Sequence, residues 1–249
     1  MQKQLVNLIV PSTWAELNDK QLLFVYRLLA DGYSSVDIRT KCLLKWSDTH
    51  VVGGNGTSHF LLKHQGQVFD VSALQIAQIL SLMEWLDELP PVPVRIAQFK
   101  RHRALPADFI GVPFEKFLVC DNLYQGYLTT KNDALLDEIG KVLYQCNVKA
   151  FTKPFRIACF YWFAALKQYF ARTFPDFYRP MKSENSNLLG EQSTTNQVAE
   201  AMNAQIRALT KGDVTKEKEI LSLDTWRALT ELNAQAKEYS EIQSKYPSK

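Results

Sequence analysis

The sequence lacks the residue patterns on which most catalytic, metal and nucleotide sites depend. Its four cysteines form no CxxC pair, its four histidines match no zinc-ligand spacing, and neither a P-loop nor a Gly-x-Ser-x-Gly motif occurs. Glu84, Asp87 and Glu88 form a close group of acids at the end of a helix; paired acids can serve hydrolysis, but three acids before a proline are more typical of a solvated face. These absences predict a protein that is not an enzyme and that needs no cofactor or metal.

Long apolar runs and a strong net charge are also missing. The most apolar segment, Ile157–Leu166, is far shorter than the ~20 residues that a transmembrane helix needs. Met1–Val10 does not have the pattern of a secretory signal, and a net charge of +3 is small for a protein that coats nucleic acid. We therefore expect a cytoplasmic protein without membrane contact, in which nucleic acid is an unfavoured partner. The cysteines are expected to be free, buried thiols: Cys42, Cys120, Cys146 and Cys159.

Apolar residues recur at helical spacing along most of the chain. Asn18, Ser34 and Ser72 are placed to cap helices, and Pro90 is placed to stop the third of these. Two short segments around the turn His64–Gly66 predict a β-hairpin near residues 58–71. The fold predicted is mainly α: a multi-helix globular domain over 1–181 with this small hairpin insertion, a polar connector over 182–197, and a C-terminal helical segment over 198–249. Further helices are predicted over residues 114–127, 132–146, 154–170, 198–211 and 223–244.

The last of these helices carries the cleanest amphipathic pattern, because its apolar residues recur at steps of three and four. Such a stripe either folds back on its own core or docks on a partner. Tryptophan and tyrosine would anchor a contact, since they bury much area at low entropic cost. The residues predicted for partner binding are Leu223, Trp226, Leu229, Leu232 and Tyr239.

Nucleic-acid binding is the alternative function that the residues suggest. Leu28–Ile38 has the form of a helix-turn-helix, with Ser35–Lys45 as the recognition helix, although a plain helical hairpin explains the same pattern. A basic cluster could also bind phosphate, with Phe99 stacking on a base, or it could be a solvated connector. The cluster consists of Arg95, Lys100, Arg101 and Arg103, with His102 among them.

Two loops offer weaker chemistry. Gly53–Thr57 could cradle a phosphate with backbone amides, but it lacks the Lys-Ser/Thr ending of a P-loop. A hydrolase hypothesis would bring His50, His59 and His64 together around the hairpin with Asp70 as a fourth ligand. Solvated side chains are the alternative interpretation in both places.

Three segments together resemble a family of uncharacterised bacterial prophage and phage proteins from tail-gene regions. Pro11–Leu22 is similar to a "P-S-x-W-x-E-L-x-x-x-Q-L" opening, Phe109–Phe117 to the middle of these proteins, and Gly212–Leu221 with Trp226–Leu232 to their end. The middle resemblance continues at Asp121–Tyr124 and at Leu143-Tyr144. After Tyr144 this chain has Gln145-Cys146, where the family has an arginine-proline ending.

The resemblance implies a non-enzymatic tail morphogenesis protein, similar to a tail assembly chaperone. Its partners would be other phage tail proteins, including the long tape-measure protein. It would act in the cytoplasm of the bacterial host or be associated with the virion. The motifs that carry the resemblance are caps, turns and helix faces, so they indicate a lineage more directly than an activity.

Overall fold

The computed structural model describes residues 8–179 and 194–245, with side chains described over 8–179 and 202–245. The structure is 60% helical, which confirms the prediction of a mainly α protein. No helix in the described part is long and apolar enough to cross a membrane. The helices are α1 (Asp19–Ala30), α2 (Ser35–Trp46), α3 (Ala73–Ser81), α4 (Phe114–Thr130), α5 (Asp133–Tyr144), α6 (Lys153–Thr173), α7 (Thr194–Thr210), α8 (Glu217–Ser222) and α9 (Thr225–Lys245).

Local capping chemistry accounts for where several of these helices begin. The Asn18 side chain accepts hydrogen bonds from the backbone N–H groups of Lys20 and Gln21, and the Gln21 side chain bonds back to the Asn18 backbone. Ser72 and Gln75 form the same reciprocal capping box at α3. Each box satisfies amides that have no partner within the helix, so the predicted starts of these helices are confirmed.

A small antiparallel sheet has the strand order β1-β2-β3, with β1 at Thr49–Gly54, β2 at His59–His64 and β3 at Gln67–Ser72. The β2–β3 pair is the predicted hairpin. The β1 strand was not predicted, because its two glycines indicated a break in the chain. A register shift between Val51 and Gly53 lets β1 pair with β2 despite those glycines. Two further short strands, β4 (Gln98–Phe99) and β5 (His102–Arg103), form a separate hairpin.

The boundaries of two helices differ most from the predicted ones. The helix opened by Ser72 ends at Ser81, and a 3-10 helix over Glu84–Asp87 follows it. Residues 194–197 were predicted as the end of the polar connector, but α7 already begins at Thr194. Its apolar period starts only at Val198, so the pattern could not show the first turn. The rest of the predicted connector, residues 182–193, lies outside the described residues.

The described chain falls into two compact units. Unit 1 contains the residues up to Pro90 together with Lys153–Ala158, and unit 2 contains Pro91–Thr152 together with the residues from Cys159 onward. The division predicted from composition, at residues 181 and 198, stays a prediction. All four cysteines are free and buried, as expected.

Tryptophans organise the core of unit 1. Trp14 is buried, and its indole N–H donates to the backbone carbonyls of Trp85 and Glu88 at 2.9 and 3.1 Å. The Trp14 ring stacks on Tyr26 and meets Trp85 edge-on, with centroids 6.2 and 5.7 Å apart. These contacts hold the first turn of the chain to the segment that follows α3.

Phenylalanines dominate the core of unit 2, and backbone hydrogen bonds attach the start of α9 to this core. Phe114 N–H donates to the Leu223 carbonyl, and Thr225 N–H donates to the Val112 carbonyl, both at 2.8 Å. Asp224 caps α9 and also accepts a hydrogen bond from Gly111 N–H at 2.6 Å. Because these bonds join residues more than a hundred positions apart, they make α9 part of the unit 2 fold. The largest fully buried rings of unit 2 are Phe109, Phe114, Phe117, Tyr144, Trp162, Phe163 and Phe170.

Candidate binding surfaces

Unit 1 contains an open cavity of about 360 Å³ that we call the apolar groove. Nine of its ten lining residues are apolar, and none is charged. The polar exception is Thr40, whose hydroxyl donates to the Val36 carbonyl at 2.8 Å. The lining residues are Thr40, Leu43, Leu44, Val51, Phe60, Leu62, Ala73, Ile76, Ala77 and Leu80.

Three parts of the sequence build this groove. Val51 lies opposite Leu62 in the β1–β2 ladder, and Phe60 is two residues before Leu62, so all three point to one face of the sheet. Thr40 and Leu44 are four residues apart on α2 and share one side of that helix. The lining residues of α3 also recur at helical spacing. The sheet therefore forms a floor between two helices.

The helix α3 is apolar, yet little of it is buried. Leu80 is the only buried residue of this helix. Leu74, in its first turn, is 69% exposed, and Leu82, the residue directly after the helix, is 77% exposed. Val51, on the edge strand β1, is 55% exposed beside it. Of these three exposed residues, only Val51 lines the groove, and Leu74 and Leu82 lie outside it. The apolar lining of the groove is available for a partner to bury. The sequence pattern predicted this helix but not the groove.

The structure divides the predicted partner-binding stripe of α9 into two parts. Leu229 and Leu232 are buried within the chain's own fold, and Leu223 is half-buried where its carbonyl bonds to α4. Trp226 is half-buried, and its indole N–H donates to the Asp108 carbonyl at 2.7 Å. Tyr239, by contrast, is 60% exposed. A partner contact by these residues stays a prediction, and Tyr239 is the member of the set with a large free surface.

The indole of Trp226 lies among aromatic rings of α6 and of the residue that follows it. Its ring centroid is 5.9 Å from that of Tyr169, 5.8 Å from Phe170 and 5.6 Å from Phe174, each in an edge-on arrangement. Edge-on pairs at these distances are favourable. The first half of the stripe thus stabilises unit 2.

The basic cluster lies around the β4–β5 hairpin. Lys100, Arg101 and Arg103 are exposed, and no described acidic side chain forms an ion pair with them. Arg95 is half-buried and donates to the Leu105 carbonyl. Phe99 is buried against other rings, which leaves it no exposed face for stacking on a base. A cavity of about 540 Å³ adjoins the hairpin, and its lining residues are Lys100, Arg101, His102, Asn147 and Val148.

The helical pair α1–α2 is not arranged to read DNA. Three residues of the supposed recognition helix, Ile38, Cys42 and Leu43, are buried. Arg39 lies 3.4 Å from a Glu84 carboxylate oxygen and 3.7 Å from one of Asp87, and its side chain is only 12% exposed. Because Arg39 forms ion pairs with these two acids, it is not available to bind a phosphate. The α1–α2 pair is therefore better described as a plain helical hairpin than as a helix-turn-helix.

Two backbone amides of the Gly53–Thr57 loop already have partners within the chain. The Asn55 side-chain oxygen accepts hydrogen bonds from the backbone N–H groups of Thr57, Ser58 and His59 at 3.2, 2.9 and 3.0 Å. Within the predicted loop, the Asn55 N–H also donates to the His59 carbonyl, so the amides of Asn55 and Thr57 are not free to bind a phosphate. The Asn55 side chain therefore stabilises this loop through hydrogen bonds within the chain.

The histidines do not converge. His59 Nδ1 lies 3.1 Å from an Asp70 oxygen, but His64 is five residues further along β2 and therefore points to the opposite face. His50 is instead 3.7 Å from Asp48. Among the described residues, no group of three His, Cys, Asp or Glu side chains is placed to hold a metal ion. The geometry gives no support to a hydrolase built on these residues.

Comparison of the chain with protein-family models, curated proteins and solved structures found no match. The resemblance to phage tail-region proteins therefore depends on the three segments quoted above.

Proposed function

We propose that this chain is a non-enzymatic phage or prophage tail morphogenesis protein that acts by binding other polypeptides, such as the tape-measure protein. The lineage is supported by the resemblance of the three segments, and the mode of action by the apolar groove of unit 1. The groove is the single observation that carries the proposal, because its lining is apolar and open, and Val51, Ala73 and Ala77 of that lining are exposed in the described chain.

The lining of the groove favours a polypeptide over a small polar ligand. Ligand pockets combine apolar walls with a few convergent polar groups that orient the ligand. Here the hydroxyl of Thr40 already donates within α2, and no charged group faces the cavity. What remains is apolar area, whose burial is favourable by ~25 cal/mol per Å². Apolar side chains of another protein match this surface.

Co-expression with the neighbouring tail proteins tests the proposal. Wild-type protein is expected to co-purify with one of them, most directly with the tape-measure protein, and Ala77→Asp is expected to abolish the complex. Ala77 is exposed and lines the groove, so an aspartate there places a charge in the contact without filling a core position. Leu74→Asp is the matched control, since Leu74 is exposed on the same helix but does not line the groove. Equal binding by both variants would refute a role for the groove.

Nucleic-acid binding by the Arg95–Arg103 region is the second candidate. The observation that favours it is the exposure of Lys100, Arg101 and Arg103 without described acidic partners. It predicts a salt-sensitive mobility shift that disappears when these three residues are replaced by alanine. Alanine at the exposed Lys211, Lys218 and Arg227 removes the same charge elsewhere and serves as the control. Absence of a shift at low salt would exclude this candidate.

A further inference from the structure

We propose that the cavity beside the β4–β5 hairpin binds the phosphate group of an anionic ligand. The site joins two segments of unit 2 that are more than forty residues apart: the hairpin, and the loop after α5, residues 145–151, which we call the α5 loop. Lys100, Arg101 and His102 line the cavity from the hairpin, and Asn147 and Val148 line it from the α5 loop. The site is independent of the apolar groove of unit 1, and it adds the α5 loop to the hairpin residues of the second candidate function.

The hairpin is attached to the end of α5 by hydrogen bonds on both of its sides. Before β4, the Ile96 carbonyl accepts a hydrogen bond from the Tyr144 hydroxyl at 3.1 Å. After β5, Leu105 N–H donates to the Leu143 carbonyl at 2.8 Å. These bonds fix the position of the basic hairpin relative to the helix from which the α5 loop begins.

The α5 loop is held near both of its ends. Cys146 N–H donates to the Lys141 carbonyl at 3.2 Å, and Phe151 N–H donates to a carboxylate oxygen of the buried Asp137 at 2.8 Å. The Phe151 ring also packs on Phe99 of β4, with the ring centroids 4.5 Å apart. Because both walls of the cavity are fixed in this way, its charged groups are held close together before a ligand binds, which lowers the entropic cost of binding.

The charge of the two segments is positive. Residues 89–107, which include the hairpin, contain four Lys or Arg residues and no acid. Residues 139–152, which include the α5 loop, contain two lysines and no acid. Among the ion pairs of the described residues, none involves Lys100 or Arg101. The cavity between the two segments therefore attracts an anion.

The acids that lie closest to the α5 loop in the sequence, Asp137 and Glu138, are engaged within the fold. Asp137 is buried and accepts the Phe151 N–H, and Glu138 lies 2.6 Å from the Nζ atom of Lys141. Neither acid lines the cavity. They stabilise the frame of the site and leave its lining positively charged.

The lining side chains have the donors that a phosphate group requires. The Arg101 guanidinium can donate two parallel hydrogen bonds to phosphate oxygens, and Lys100 adds a second positive charge. The Asn147 amide and the His102 ring provide further N–H donors. Four donor side chains on two walls match the three or four terminal oxygens of a phosphate better than the two coplanar oxygens of a carboxylate.

The cavity is larger than a phosphate group alone. Its volume of about 540 Å³ lies within the range of small-molecule sites. None of the described lining residues is Phe, Tyr or Trp, and the neighbouring Phe99 ring is buried. A nucleotide base therefore has no such ring to stack on, and recognition depends on the phosphate. The ligand class is a phosphate ester or a pyrophosphate, either free or within a nucleic-acid backbone.

Isothermal titration calorimetry of the full chain with inorganic pyrophosphate at low salt tests the site. Wild-type protein is expected to bind pyrophosphate. Asn147→Asp is expected to weaken this binding by at least about tenfold, because it places a negative charge in the cavity while every basic residue stays in place. Asn122→Asp is the matched control and should bind as the wild type does, since Asn122 is exposed on α4 and does not line the cavity.

Two arginines of the hairpin provide a second comparison. Arg101→Ala removes a guanidinium from the lining and is expected to weaken pyrophosphate binding by at least about tenfold. Arg103→Ala removes the same charge two residues further along, but Arg103 does not line the cavity, so a change of less than about threefold is expected. Equal losses in the two variants would contradict a defined site.

A mobility-shift assay with a single-stranded oligonucleotide distinguishes the two sources of phosphate. Pyrophosphate binding without a shift supports a small phosphorylated ligand, whereas binding of both probes, with both lost in Asn147→Asp, supports a nucleic-acid backbone. A wild-type chain that does not bind pyrophosphate, or an Asn147→Asp variant that binds it as tightly as the wild type, would overturn the assignment of the site.

The outcome for this site is separable from the outcomes for the proposed functions. Ala77→Asp lies in the groove of unit 1 and is expected to bind pyrophosphate as the wild type does. A shift that is lost on alanine replacement of Lys100, Arg101 and Arg103, but is unchanged in Asn147→Asp, would retain the second candidate function and refute the phosphate site.

Discussion

Replacement of Trp226 by alanine distinguishes a folding role from a partner role at the start of α9. The indole touches three aromatic rings and donates to the Asp108 carbonyl at 2.7 Å. Removal of a buried Trp side chain costs about 3–5 kcal/mol, and loss of one hydrogen bond contributes about 1 kcal/mol within that range. Because Trp226 is half-buried, we expect the lower end, a decrease of about 3 kcal/mol in the free energy of unfolding.

Urea denaturation followed by circular dichroism measures this decrease, with an unchanged m-value as evidence that the unfolded state is the same. Trp226→Phe retains a ring but not the N–H donor, so about 1 kcal/mol of destabilisation is expected. Tyr239→Ala, at an exposed position of the same helix, should change stability by less than about 0.5 kcal/mol. A Trp226→Ala variant that lost less than about 1 kcal/mol would refute the assignment of this residue to the fold.

Three other changes test the packing of unit 2 and the state of the thiols. Gly140→Ala should destabilise the protein by about 1–2 kcal/mol in urea unfolding, because the new Cβ would lie 2.7 Å from the Phe151 ring. Gly126→Ala is the control and should be nearly neutral, since its Cβ meets only the flexible end of Leu135 at 3.1 Å. Equal losses of stability in the two variants would contradict this packing. Asp224→Ala should lower the free energy of unfolding by about 2 kcal/mol in the same assay, since it removes both the α9 cap and the hydrogen bond from Gly111 N–H. A variant as stable as the wild type would contradict the role of Asp224 in attaching α9 to the unit 2 core. Burial raises the pKa of Cys42 to about 12 and also raises the pKa of Cys120 and Cys159. Above the ordinary thiol pKa of ~8.5, these thiols lose their protons in the unfolded chain but keep them in the folded chain. The free energy of unfolding should therefore fall with increasing pH, by up to about 1.4 kcal/mol per pH unit for each thiol. Replacing the three cysteines by alanine should make the free energy of unfolding less dependent on pH, and an unchanged pH dependence would contradict the prediction.

The parts of the fold that local chemistry determines were predictable from the sequence. Asn18, Ser34 and Ser72 identified helix starts because a capping side chain acts on amides within the next three residues. The β2–β3 hairpin was predictable for a similar reason, since its strands are joined by a short turn. The bulged strand β1 was not, because its two glycines are as typical of a loop as of an irregular strand edge.

The candidate binding surfaces depend on long-range packing, which the sequence pattern does not contain. Leu232 and Tyr239 belong to the same apolar stripe, yet one is buried and the other is 60% exposed. Periodicity reports that a helix has an apolar face but not which part of that face finds a neighbour. The groove presents the same difficulty, because α2, the sheet and α3 form it together. The interpretation of Phe99 as a stacking residue was wrong for this reason too: the burial of its ring depends on Tyr144 and Phe151, more than forty residues away.

Hydrogen–deuterium exchange of the full chain, alone and in complex with its co-expressed tail protein, locates the surface that the partner covers. Binding at the apolar groove predicts slower exchange in the complex at the amides of α3 and of β1 beside the groove, and unchanged exchange at the β4–β5 hairpin. Protection confined to the hairpin around Lys100 and Arg103, with α3 unaffected, would contradict it.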